Sequence, residues 1–226
     1  MMGILTGCDE NQEWLLPWWY SHFRKVHPEL PIAFGDLGMS DEGRKWCKER
    51  GILIPSSEIP LHSIQEKSKY ETLTPQRVAW FRKPLLMKQS PFLRTLWLDL
   101  DCQVLENLTP ILSIPLTSNK MALRGGASVF WEKVRLHITP YSSGVVLFEK
   151  NSPLLDLWAH FAHRENGLFL GDDELLSFIC AHQISVDCIP FKYNWEVKWG
   201  SNPEAAILHW TGEAWKYALR YFELNM

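Results

Sequence analysis

Residues 95–104 read TLWLDLDCQV, an apolar run interrupted by Asp99 and Asp101. An ionised carboxylate is costly to bury unless a cation pairs with it or a ligand binds it. On a strand, residues i and i+2 share a face, so the two acids project together and Leu100 points away. They follow the apolar TLWL, which places them toward the carboxyl end of that strand. In open α/β sheets, ligands bind outside the carboxyl ends of the strands. Two hard oxygen ligands at such a place suit Mg2+ or Mn2+, and that ion would grip phosphate oxygens. The same pair also has a plainer use, with one Asp capping the next turn and the other paired with Arg94 or Lys83.

The elements that must position these acids are legible in the pattern. GILTG (3–7) and LPIAFGDLG (30–38) read as strands, and so does ILIP (52–55). Between them, QEWLLPWWYSHFRK (12–25) and SDEGRKWCKERG (40–51) read as helices, the second opened by a Ser or Asp cap and closed by Gly51. Strand, helix, strand, helix, strand favours a parallel sheet with helices on its faces. Residues 56–74 are polar and weakly periodic, a surface excursion. Residues 75–91 read as a helix opened by Pro75, with Pro84 predicting a kink or break inside it. Beyond the acids, MALRG (121–125), SSGVVLFEK (142–150), SVDCIP (185–190) and AAILHW (205–210) read as strands. SPLLDLWAHFAHRE (152–165) and GDDELLSFICAHQ (171–183) read as helices. A single α/β domain spanning 1–226 fits this order.

Composition excludes several function classes. The net charge is -3 with acids and bases interspersed, so no broad basic surface for nucleic acid is indicated. No apolar run is long enough for a transmembrane helix, and the N-terminus lacks the basic start of a signal peptide. The 5 Cys are widely spaced without a CxxC, which reads as reduced, buried thiols in a cytoplasmic protein. The 12 Trp are a high count; such residues fill cores, and they also stack on the apolar faces of sugars.

Here a resemblance enters. WFRKPLLMKQSPFLRTLWLDLDCQVLENL (80–108) couples a Lys-Pro helix to an apolar strand, a DxD and a short acidic-apolar tail. This resembles the GT-A-type glycosyltransferases, and among them the family 8 group that includes glycogenin and bacterial galactosyltransferases. Four further landmarks follow that family's order. ILTGCDENQ carries Thr6, Gly7 and Asp9; YSSGVVLFEK carries Ser142, Ser143 and Gly144, with Ser142 where the family has Asn. GDDELL carries Asp172, Asp173 and Glu174, and ILHWTGEAWK carries His209, Gly212 and Lys216.

The resemblance implies a single GT-A-like α/β domain with a mixed, mostly parallel sheet, its nucleotide-binding part near 1–106 and its acceptor side near 107–226. It implies transfer of a hexose from a UDP-sugar to an acceptor hydroxyl, on a carbohydrate or a protein, with retention. Asp99, Asp101 and His209 would hold Mn2+ (or Mg2+). Thr6, Gly7 and Asp9 would meet the nucleotide. Lys83, Gly212, Lys216 and the Asp99–Leu100–Asp101 segment would serve the diphosphate. Asp172 and Asp173 would face the reacting sugars, with Lys216 offsetting charge on the leaving diphosphate.

Each of these residues also has a bland use. His209 reads equally as a core histidine, and Lys83 and Lys216 as solvated helix lysines. Arg77 and Arg82 share the helix of Lys83 and are weaker phosphate candidates. Asp9 suits a helix cap, Asp172 and Asp173 suit the dipole of a helix start, and Gly212 suits the beginning of the last helix. Two other functions remain open: a nucleotidyltransferase of related fold, and a nucleotide-sugar-binding module without turnover.

Overall fold

The computed structural model describes residues 1–55, 74–132, 136–182 and 184–223. The expected surface excursion lies outside these residues except at Thr74, which opens a helix. The elements run β1 (Met2–Cys8), α1 (Leu16–Val26), β2 (Ile32–Asp36), α2 (Asp41–Lys48), β3 (Ile52–Ile54), α3 (Thr74–Met87), β4 (Arg94–Leu98) and β5 (Cys102–Val104). There follow α4 (Thr109–Leu112), β6 (Met121–Gly125), β7 (Val129–Trp131), β8 (Leu136–Ile138), β9 (Tyr141–Glu149), α5 (Pro153–Arg164) and α6 (Asp172–Ala181). The chain continues through β10 (Asp187–Cys188), β11 (Trp195–Glu196) and β12 (Ile207–His209) to α7 (Glu213–Glu223).

Seven strands form the central sheet in the order β10-β6-β9-β4-β1-β2-β3. β1, β2, β3 and β4 are mutually parallel where they pair, as the alternating pattern at the start of the chain predicts. β9 runs antiparallel to both β4 and β6, which makes the sheet mixed. Apolar side chains cover both faces. Trp19, Phe23, Phe34 and Leu147 pack on one, and Phe81, Phe92, Trp97 and Trp158 on the other. A sheet buried on both sides explains why its central strands are continuously apolar rather than alternating.

Local chemistry explains most element ends. Ser40 caps α2 by accepting from Gly43 N at 3.0 Å, and its own hydroxyl donates to Glu13 at 2.7 Å. Ser152 caps α5 through Leu155 N at 3.2 Å. The expected break at Pro84 does not occur: α3 runs through it and ends one turn later, at Met87. Tertiary packing outweighs the local penalty, since Phe81, Leu86 and Met87 on that helix are all fully buried.

A second, small sheet of order β11-β12-β5 lies beside the first, and the sequence pattern gave no warning of β5 or β11. β5 pairs antiparallel with β12, so that His209 sits opposite Cys102. This pairing brings the last third of the chain against the segment that follows β4. Cys8, Cys47, Cys102 and Cys180 are free and buried, while Cys188, on the edge strand β10, is exposed, against the expectation for all five. Among the described residues no helix is long and apolar enough to cross a membrane.

Candidate functional site

A cavity of about 630 Å³ opens at the carboxyl ends of β1 and β4. Gly7 lines it from the end of β1 and Asp9 from just after it, and Asp99, Leu100 and Asp101 line it after β4. Lys83, Ser142, Ser143, Gly144, Asp172, Asp173, His209, Gly212 and Lys216 complete the part that the sequence had singled out.

The two acids do not share a strand face. β4 ends at Leu98, and Asp99–Asp101 form a turn closed by Cys102 N donating to Asp99 O at 3.0 Å. Strand alternation therefore does not apply to them, yet both carboxylates line the cavity. The turn is anchored on either side. Asp99 N donates to Gly144 O at 2.9 Å, and Trp210 N to Asp101 O at 2.9 Å. Leu100 packs in the core at 4% exposure.

The Asp99 carboxylate is well supplied with partners. Lys83 Nζ lies 3.1 Å away and Trp97 Nε1 donates at 2.6 Å. Lys83 also meets Asp172 at 3.0 Å and Ser143 Oγ at 3.0 Å. Burial works against the charge on Lys83, but Asp172 and Asp99 outweigh it and raise its pKa. One lysine serves two acids, so the cluster carries a surplus negative charge. Burial, with the neighbouring Asp173 and Asp99, raises the Asp172 pKa to about 6 against the opposing pull of Lys83.

Asp101 is differently placed. Its Oδ2 lies 3.2 Å from Lys216 Nζ and its Oδ1 3.3 Å from His209 Nε2. Asn194 donates through Nδ2 to Ser142 Oγ at 3.0 Å, which leaves Asn194 Oδ1 to accept from His209 Nδ1 at 2.8 Å. With its proton on Nδ1, a neutral imidazole presents a lone pair at Nε2, facing a carboxylate oxygen. Two acceptors at 3.3 Å repel unless a proton or a cation lies between them. Burial opposes the charge on Asp101, but a protonated His209 donating from Nε2, together with Lys216, outweighs it and holds its pKa well below the usual carboxylate range.

Asp101, Cys102 and His209 form the group of metal-capable atoms found close together among the described residues. Cys102 does not suit the role. It is fully buried, burial pushes its thiol pKa up, and its Sγ donates to Gly144 O at 3.6 Å. An oxygen and an imidazole nitrogen facing one another, backed by an orienting Asn, could hold a divalent ion. Asp99 stands in the same turn but is turned to Lys83 and Trp97.

Backbone geometry permits this arrangement at two glycines. A Cβ on Gly144 would come 2.1 Å from His209 Cε1, so the imidazole rests directly on the β9 backbone. Gly212 has φ +90°, a conformation that side chains disfavour, immediately before α7 and Lys216.

Other sequence expectations fall differently. Thr6 is fully buried in β1, flanked by β2 and β4, and does not line the cavity. Asp9 both lines the cavity and caps the loop after β1, accepting from Gln12 N at 3.1 Å and Asn11 Nδ2 at 3.3 Å. Asp173 lines the cavity, exposed, and accepts from Glu174 N at 2.8 Å. Arg77 is a structural clamp rather than a phosphate ligand. Its buried guanidinium donates to the carbonyls of Asn166, Phe169 and Leu170 and fixes the loop before α6. Arg82 lies off the cavity wall. Asn194, Arg124, Glu196 and Trp199 were not foreseen, although the FKYNWEVKW stretch is unusually aromatic.

No protein-family model matches the sequence, and no curated protein matches it. Solved structures do match in fold. A galactosyltransferase, LgtC, in complex with donor and acceptor sugar analogs superposes with TM-score 0.64 at 16% identity over 99% of this chain and 95% of that one. Mouse xyloside xylosyltransferase 1 gives 0.61 at 13% identity over 92% and 97%. The glycosyltransferase GlyE of Streptococcus pneumoniae TIGR4 gives 0.59 at 17% identity, this chain spanning 56% of its length. The mixed seven-stranded sheet, its flanking helices and the cavity at its carboxyl edge are the GT-A architecture of these glycosyltransferases.

Proposed function

We propose that this chain is a glycosyltransferase that moves a hexose from a UDP-sugar to an acceptor hydroxyl, with retention and with Mn2+ bound. The observation that carries the reading is the opposed pair Asp101 and His209, 3.3 Å apart in the cavity of a GT-A fold. Asp101 and His209 would hold the ion, with Asp99 joining from the same turn. When bound, the ion supplies positive charge to the diphosphate as the glycosidic bond breaks.

The chain's own residues do the rest. Lys216, pulled into the site by Asp101, offers an ammonium to the departing diphosphate. The backbone at Gly212 lies bare beside it, without a side chain to block approach. Gly7 and Asp9, at the end of β1, stand where a nucleoside is expected in a sheet of this kind. Lys83 fixes Asp172 at the start of α6 and so sets the adjacent Asp173. Asp173 would accept a hydrogen bond from a sugar hydroxyl and orient it. The division into a nucleotide part near 1–106 and an acceptor part near 107–226 belongs to this reading, with His209 and Lys216 crossing from the second into the first. A cytoplasmic setting is consistent with the free thiols.

The test is calorimetry and thermal shift with UDP in the presence and absence of Mn2+, followed by a nucleotide-sugar donor screen read by mass spectrometry. Stabilisation by UDP that requires Mn2+, and release of UDP from one donor, are expected. Binding of UDP that ignores Mn2+ would overturn the metal assignment, and no donor turnover would overturn the transfer reaction.

A further inference from the structure

β6 and β9 lose register between Leu123 and Arg124: Leu123 lies opposite Val146, and Arg124 opposite Ser142. One step along β6 matches four along β9, and such a bulge re-aims the side chains beside it. Arg124 and Ser142 both line the cavity. Each starts a relay of hydrogen bonds that ends in the last part of the sequence.

The first relay runs from Ser142 Oγ, which accepts from Asn194 Nδ2 at 3.0 Å, to His209 Nδ1, 2.8 Å from Asn194 Oδ1. The second runs from Arg124, which donates to Glu196 Oε1, to Thr211 Oγ1, which donates to Glu196 Oε2 at 3.2 Å. Lys198 pairs with that same oxygen. The two relays keep step. They start from one register pair, pass through residues two apart at β11, and end on residues two apart at β12. The parallel pairing of these strands sets Glu196 opposite His209. Arg124, Asn194, Glu196 and His209 are all buried. A buried ion pair is a poor source of stability, and its best-attested use is to select one geometry among several.

The geometry that the second relay selects is that of a turn. Thr211 immediately precedes Gly212, whose φ is +90°. Glycine is the most freely moving residue, and a backbone that must be ordered on binding loses affinity. The bond from Thr211 to Glu196 holds one flank of this turn. Lys216 N, donating to Gly212 O at 3.2 Å, holds the other.

We propose that Arg124 and Glu196 are positioning residues for the donor diphosphate. They act through Thr211, which keeps the Gly212 turn in the conformation that the diphosphate meets. This rests on the glycosyl-transfer reading and names what sets the phosphate end of that site. The test titrates the full chain with UDP and Mn2+ by calorimetry. Thr211→Val removes the hydroxyl at nearly constant volume. It is expected to weaken UDP about fivefold, the worth of one hydrogen bond, with the urea midpoint unchanged. Thr211→Ser keeps the hydroxyl and recovers the affinity. Glu196→Gln shows a similar loss, and adding Thr211→Val to it changes little more, because both remove one tether. Unchanged affinity in Thr211→Val overturns the proposal. So does a failure of Thr211→Ser to recover it, or losses that multiply in the double variant, as they would if Thr211 met the ligand independently of Glu196.

A second measurement does not depend on UDP. Amide exchange of the ligand-free chain over residues 212–218 is expected to quicken about fivefold in Thr211→Val, while β1 and β4 exchange as in the wild type. A wild type that fails to bind UDP overturns the transfer reading, and the exchange then decides the tether by itself. Equal exchange in the two proteins sinks it.

Discussion

Asp99 and Asp101 lie one residue apart in one turn, and their surroundings differ in kind. Asp99 belongs to a hydrogen-bonded cluster, with Lys83 at 3.1 Å, Trp97 at 2.6 Å, and Ser143 and Asp172 on the same lysine. Asp101 has one firm cation, Lys216, and otherwise meets His209 Nε2, a contact that needs a proton on the imidazole or a cation between the two. The first cluster shares one lysine between two acids and keeps a surplus negative charge; the second sets Asp101 against Lys216 and needs a proton or a cation only at its contact with His209. The two acids of the DxD therefore sit in two different settings, one tied to Lys83 and Trp97 and one facing Lys216 and His209.

Breaking the Lys83 cluster has the largest expected effect. Lys83→Met leaves the buried Asp172 and the half-buried Asp99 without their cation and is expected to cost about 3 kcal/mol of stability, read by urea unfolding. Lys83→Met with Asp172→Asn recovers part of that loss. A single variant as stable as the wild type would mean that the cluster is solvated and that the contrast with Asp101 is false.

Breaking the contacts of Asp101 is expected to act on binding instead. Asp101→Ala lowers Mn2+-dependent UDP affinity by about a hundredfold or more while the fold survives, measured by calorimetry. Equal affinity in the variant would remove Asp101 from the metal site. Two smaller changes sharpen the same point. Asn194→Ala frees the His209 ring and is expected to weaken Mn2+-dependent UDP binding about tenfold. Gly144→Ala, which drives a methyl into the imidazole, is expected to do at least as much. If neither moves affinity, His209 is not a ligand.

The smallest effect lies in pH. The folded pKa of Asp172, about 6, exceeds its ordinary value of 3.8. Between those values the folded state holds the proton more firmly than the unfolded state does, so this group's contribution to stability declines as pH rises from about 4 to about 6. Asp101 has the opposite sign: its lowered pKa stabilises the fold above its ordinary value of 3.8, a contribution lost as pH falls below that. Unfolding curves of the wild type and Asp172→Asn at pH 4.5 and 7 separate the two, since only the wild type should show the decline. Parallel curves would deny the raised pKa.

The layered α/β fold was legible because buried strands and capped helices leave strong local marks, as at GILTG, Ser40 and Ser152. The cavity's acids were legible because charge in an apolar run is costly. What stayed hidden is what long-range pairing decides. Asp99–Asp101 sit in a turn rather than on a strand because Cys102 N bonds back to Asp99 O, and no periodicity in ten residues shows that. Arg77 looks like a phosphate ligand until its carbonyl partners, some 90 positions away in the chain, are in view. Asn194 and Glu196 carry no motif of their own, and their roles come from where β11 is set down.

The three-stranded sheet β11-β12-β5 has a consequence for how this molecule comes to exist. Trp210 Nε1 donates to Gln103 Oε1 at 3.2 Å across 107 residues of chain. His209 meets Asp101 through that same seam. Closing so long a loop has an entropic cost that must be met before the contact gives anything back. During synthesis, β1 to β4 can assemble on the ribosome while the partner of Asp101 has yet to be translated. His209 and Lys216 leave the ribosome more than a hundred residues after Asp101, so a nascent chain released before them would hold β1 to β4 without that wall of the cavity.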